Sequence, residues 1–194
     1  MTFRSGLLDG RRIALAGPAG DGPPSAEVDR AVCDRLRALG AWTDVIDPGA
    51  LADEDATAAW AAERAPLDAL VFLGAEPFGA GGADRLQATL ELAWRAARGA
   101  QLHASGAGGR LVLVGPPADA GPHSEAARAG LENLARTLSV EWARFSVTAV
   151  AVAPGPDTTA AEVGELVAYL LSAAGGYFSG CRFSLGEAAP TAAG

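Results

Sequence analysis

Lysine is absent from this sequence, and all 15 of its basic residues are arginine. That absence excludes a lysine Schiff base or a lysine general base anywhere in the chain. Sulfur and imidazole are nearly absent too. Cys33 and Cys181 fall on different expected elements with no metal-ligand spacing, so they read as reduced thiols. His103 and His123 are the only histidines, and no Cys/His cluster is present to build a structural zinc site. Apolar runs long enough to span a bilayer are missing, and MTFRSGLLDGRR has no apolar h-region of a signal peptide, so the chain is expected to be cytoplasmic without a membrane partner. A formal net charge of −8 with no basic patch opposes binding to nucleic-acid backbones.

The 194 residues are 49% hydrophobic, which suits one globular domain over 1–194, with 1–10 and 187–194 expected as flexible tails. The segment from Gly108 to Gly155 organises the chain. Leu111 to Val114 and Val147 to Val152 are apolar without polar alternation, as in parallel strands covered on both faces. Between them Ala127, Leu131, Leu134, Leu138 and Trp142 recur at helical spacing, giving a βαβ unit. Further strands are expected at Arg12 to Ala16, Ala41 to Asp47, Leu67 to Leu73 and roughly Tyr177 to Leu185. The intervening helices fall at about Ser25 to Leu39, Asp53 to Arg64 and Asp84 to Arg98, the last burying Leu86, Leu90, Ala93, Trp94 and Ala97. Another follows Pro154-Gly155, with Val163, Leu166, Val167 and Leu170 on one face. The pattern predicts a doubly wound α/β fold, a mostly parallel Rossmann-like sheet of about six strands.

The stretch LENLARTLSVEWARFSVTAVAVAPG resembles the short-chain dehydrogenase/reductase family. In that family the strand before this helix carries a catalytic serine, and the helix opens with Tyr-x-x-x-Lys. Alignment on Leu131 to Leu138 puts Ser124 at the tyrosine position and Arg128 at the lysine position, while the serine falls on Gly115 or Pro116. The asparagine of the family's proton relay falls on Ala88 or Thr89. The resemblance therefore implies a truncated, catalytically degenerate member. It lacks one βα unit after the second strand and the substrate lid after Pro154-Gly155. The family's Asn-Asn-Ala-Gly turn becomes Phe72, Leu73, Gly74 and Ala75, losing two amides.

Gly17, Gly20 and Gly22 follow the first strand, where backbone N–H groups at a helix N-terminus would cradle a pyrophosphate. The turn is one residue shorter than the family's, Pro18, Pro23 and Pro24 lack N–H groups, and Asp21 adds negative charge. Binding of NAD or NADP is expected to be lost, leaving no cofactor and no metal. Asp47 ends its strand in an Asp-Pro-Gly turn. His123 and Glu125 offer a weak alternative acid/base pair, against an exposed helix start with Ser124 as N-cap. Ala126, Gly130, Asn133 and Thr137 form a small-residue stripe suited to an oligomer interface. The expected function is a catalytically inactive subunit that assembles with an active short-chain dehydrogenase/reductase, as a stabilising or regulatory partner. The alternatives are a cofactor-independent cyclase, dehydratase or isomerase, or a non-catalytic homo-oligomer.

Overall fold

The computed structural model describes residues 3–18, 26–100, 102 and 108–186. Its sheet consists of β1 (Arg12–Ala16), β2 (Trp42–Val45), β3 (Ala69–Leu73), β4 (Gly109–Val114), β5 (Val147–Pro154) and β6 (Arg182–Leu185). The strand order is β2-β1-β3-β4-β5-β6 and every pairing is parallel. The helices are α1 (Glu27–Ala38), α2 (Glu54–Arg64), the single turn α3 (Ala75–Phe78), α4 (Ala83–Gly99), α5 (Ser124–Glu141) and α6 (Ala160–Leu171).

Alternation along the strands sorts the core into two layers. Ala14, Ala16, Leu70, Phe72, Leu111, Leu113, Ala149 and Ala151 face a cluster containing Trp60 of α2, Ala93, Ala96 and Ala97 of α4, and Leu131, Ala135 and Leu138 of α5. Ile13, Leu15, Val71, Leu73, Val112, Val114, Val150 and Val152 face the other cluster, with Val32 and Leu36 of α1 and Val163 and Val167 of α6. Burial on both faces is why these strands carry no polar alternation. As omission of one βα unit requires, β2 ends the sheet, and residues 155–159 alone separate β5 from α6. α6 starts with a capping box, in which Thr159 Oγ1 accepts from the Glu162 N–H and Glu162 Oε2 accepts from the Thr159 N–H.

Four expectations are corrected. Residues 3–10 are not a loose tail: Leu8 is 1% exposed, its N–H donates to Leu39 O at 3.0 Å, and Phe3 stacks on Tyr169. Residues 1–2 and 187–194 lie outside the described residues. The last strand begins at Arg182, because Ala173–Tyr177 forms a 3-10 turn that leaves Tyr177 exposed. Trp94 points outward with Arg98 over its ring, while Leu86 and Leu90 are only half-buried. α4 instead buries its small residues Ala93, Ala96, Ala97 and Gly99. Gly99 admits no side chain, since a Cβ there would lie 2.3 Å from Thr57 Cβ of α2.

If residues 3–10 are part of the core, Leu8→Ala should lower stability by about 2–5 kcal/mol, the usual cost of emptying a buried leucine site. Chemical denaturation checks this, and an unchanged midpoint would return the segment to a tail.

Candidate functional site

The chain direction reverses between β1 and β3, and in such sheets ligands settle in the crevice outside the strand C-termini at that point. A cavity of about 390 Å³ opens there, lined by Gly17 and Pro18 after β1, Pro48 and Leu51 after β2, Pro77 in α3, and Arg85, Ala88, Glu91 and Arg95 of α4. The strand ends pack backbone to backbone at its floor. Gly17 has φ +120°, and a Cβ on it would lie 2.0 Å from Leu73 O, so glycine is required by the approach of β1 to β3.

Several donors among the described residues at this crevice are missing or engaged. Pro18, Pro48 and Pro77 have no N–H. The Gly74 N–H donates to Val114 O, and the Gly115 N–H donates to Val152 O. Arg95 donates to Leu51 O and Ala52 O and pairs with Glu91 at 3.2 Å. Asp47 Oδ1 accepts from the Ala50 N–H at 2.9 Å, so this carboxylate closes the expected turn. Gly20 and Gly22 of the glycine-rich turn, with Asp21, Pro23 and Pro24, lie outside the described residues, as does His103.

The feature the sequence reading missed is Asp29, in the first turn of α1 and 0% exposed. Its Oδ2 accepts from the Glu76 N–H at 2.9 Å, so a side chain from α1 caps α3 across the crevice floor. Oδ1 is buried without a partner. Burial pushes the Asp29 carboxyl up to about 7, with a smaller upward contribution from Glu76, against the hydrogen bonds from Glu76 and Ala75 that favour the anion. Cys33, one turn further along α1, is likewise pushed up to about 11, mainly by burial. It is therefore not a thiolate nucleophile. The spacing Asp29, Val32, Cys33, Leu36 was the available signal, since it puts a carboxylate on the core face of α1.

At the other end of the crevice the positions aligned to the family's catalytic groups can be placed. Gly115 and Arg128 are brought together: a Cβ on Gly115 would lie 3.1 Å from Arg128 Cγ. Arg128 is 1% exposed and paired with Glu125. Ser124 is not an exposed N-cap. The cap is His123, in the left-handed conformation at φ 68°, with no side-chain cap bond, and Ser124 is the buried first residue of α5, donating to Ala118 O at 2.6 Å. His123 and Glu125 are exposed at this helix start, with Glu125 committed to Arg128. Thr89 is buried and donates to Arg85 O of its own helix, while its neighbour Ala88 lines the cavity.

On α5, Ala126, Asn133 and Thr137 are exposed. Gly130 is half-buried instead, because Leu90 of α4 fills the space over it, with Cδ2 at 2.7 Å from a Cβ placed there. That contact lies within the chain. The exposed stripe continues to Val140, which is 78% exposed.

A parallel sheet wrapped by helices on both faces, with its crevice at the switch point, defines a Rossmann-like α/β protein. No family model and no curated protein matches the sequence. Among solved structures it is similar to a citronellol catabolism dehydrogenase from Pseudomonas aeruginosa, with TM-score 0.71 and 25% identity over 94% of this chain and 95% of that one. An enoyl-(acyl-carrier-protein) reductase from Anaplasma phagocytophilum, in complex with NAD, gives TM-score 0.71 at 16% identity over 93% and 94%. A short-chain dehydrogenase from Mycobacterium smegmatis gives 0.68 at 21% over 95% of each chain. The chain thus has the fold of the short-chain dehydrogenase/reductases. A dinucleotide is the ligand this fold implies; among the described residues at this crevice, Pro18, Pro48 and Pro77 have no N–H and the Gly74, Glu76 and Gly115 amides are engaged within the chain.

Asp29 gives a signed pH dependence. Its folded value lies above the ordinary 3.8, so the protonated form stabilises the fold at low pH, and that contribution is lost as pH rises from about 4 through 7. The shift corresponds to about 4 kcal/mol. Relative to the parent, Asp29→Asn should therefore gain stability progressively from pH 4 to pH 8. Denaturant titrations of both proteins at each pH check this. A constant difference would mean Asp29 titrates at its ordinary value.

Proposed function

We propose that this chain is a catalytically inactive relative of the short-chain dehydrogenase/reductases that assembles with an active member as a stabilising or regulatory subunit. One observation carries the reading: a buried Arg128, tied to Glu125 and packed on Gly115, occupies the aligned catalytic positions. Gly115 has no side chain to offer a proton, and the Ser124 hydroxyl donates to Ala118 O. The chain also has no lysine to take the ammonium's place.

Loss of NAD(P) binding is part of the same proposal, supported by the proline rim and by the engagement of the Gly74, Glu76 and Gly115 amides. Calorimetry with NADH and NADPH should give no saturable heat at micromolar concentrations. Binding in that range, about −8 kcal/mol, requires an organised site and would overturn this part of the reading.

Assembly is supported by the face running through Ala126, Asn133, Thr137 and Val140, whose spacing puts small and apolar groups on one exposed side of α5. Co-expression with the dehydrogenases encoded beside its gene, followed by affinity purification and mass measurement, tests the partner. Thr137→Arg should break the assembly by burying an unpaired charge, at a cost of several kcal/mol, without touching the intrachain core. Gly130 is the wrong place for this test, because a larger group there displaces Leu90. Unchanged mass for Thr137→Arg moves the interface elsewhere, and a chain that purifies alone as an active reductase removes the proposal.

A further inference from the structure

Because all six strands are parallel, their N-termini share the edge opposite the crevice, and that edge carries a second cavity of about 390 Å³. Arg11, Asp68, Gly109, Arg110, Thr148 and Gly176 contribute to its lining. Asp68 has both carboxylate oxygens engaged. Oδ1 accepts from Arg11 Nη1 at 2.9 Å, and Oδ2 accepts from the Arg12 N–H at 2.8 Å. It therefore balances Arg11 and has no free oxygen directed to the next arginine.

Arg110 has no such balance. It is half-buried at the start of β4, Nη1 donates to Leu170 O at 2.9 Å, and among the described residues no carboxylate pairs with it. Burial and the neighbouring Arg11 both lower its pKa, so the cation is held where its charge is disfavoured. Its position is nonetheless built. Arg110 is in register with Thr148 of β5, so both side chains leave the sheet on the same side. Gly176 lies close against the guanidinium, since a Cβ there would be 2.9 Å from Nη2. Among the described lining residues, two guanidinium groups stand against one carboxylate, a net positive charge within a chain of formal charge −8.

We infer that this cavity binds a small oxyanion, a phosphate or carboxylate group of a metabolite, held by the open fork of Arg110 and the Thr148 hydroxyl. A planar guanidinium with donors to spare is suited to two parallel bonds to either group. The site is at the opposite edge of the sheet from the crevice, so it stands whether or not the chain is catalytic.

The test is a titration of the full-length, isotope-labelled protein with inorganic phosphate and, separately, with succinate, against sodium chloride at matched ionic strength. The expected result is saturable movement of the Gly109 and Gly176 amide resonances at millimolar phosphate or succinate but not chloride, and the stronger anion identifies the group recognised. Arg110→Gln should weaken binding about tenfold or more. Should that variant fail to fold, Thr148→Val keeps the Arg110 to Leu170 bond and should weaken binding several-fold. Equal responses to chloride, no saturation, or unchanged binding in whichever variant folds would mean an adventitious ion only and would overturn the assignment.

Discussion

Burial of a parallel sheet on both faces is the constraint from which the other features follow. Once β1, β3, β4 and β5 are covered above and below, their side chains must be apolar on both sides, and polar function is displaced to the two edges where strands end. Both cavities lie at those edges, the crevice at the C-terminal ends and the arginine-lined cavity at the N-terminal ends. The same constraint makes the strand termini tight. Gly17 against Leu73 O and Gly74 against Val114 O are approaches that admit no Cβ without movement, so neighbouring strand ends are locked before any ligand arrives.

The two helical layers solve their packing differently. α1 and α6 press branched and long side chains onto a valine-rich face. α4 and α5 meet the other face through alanines, opposite the small strand residues Ala14, Ala16, Ala149 and Ala151. Small residues on both sides let these helices sit close to the sheet, and that displaces their larger groups outward. Trp94 and Val140 are exposed on the outer side of this layer.

Two buried charged groups are placed in contrasting ways. Arg128 is buried, but its partner Glu125 sits at the surface, so the pair bridges interior and solvent. Asp29 is the reverse case, a carboxyl sealed in the core whose job is to cap α3 through the Glu76 amide.

The strand at Arg12 to Ala16, the apolar runs around Leu111 and Val147, and the stripe of Ala127, Leu131 and Leu138 were legible because periodicity and apolar continuity are local properties that burial on one or two faces imposes directly. The replacements at Gly115, Ser124 and Arg128 were legible too, since residue type alone removes a phenol, an ammonium and a hydroxyl from the aligned positions. What local pattern could not carry was the company each residue keeps. Leu8 looked like tail until Leu39 supplied its partner, Ser124 looked like a cap until Ala118 accepted its hydroxyl, and nothing local announced Leu90 as the neighbour of Gly130. Asp29 and Arg110 gained their character from groups 47 and 60 residues away. Sequence determined which segments must be buried, because hydrophobic burial acts on each segment's own composition. Tertiary structure alone decided which polar groups share an edge, because that depends on the order in which the strands are laid side by side.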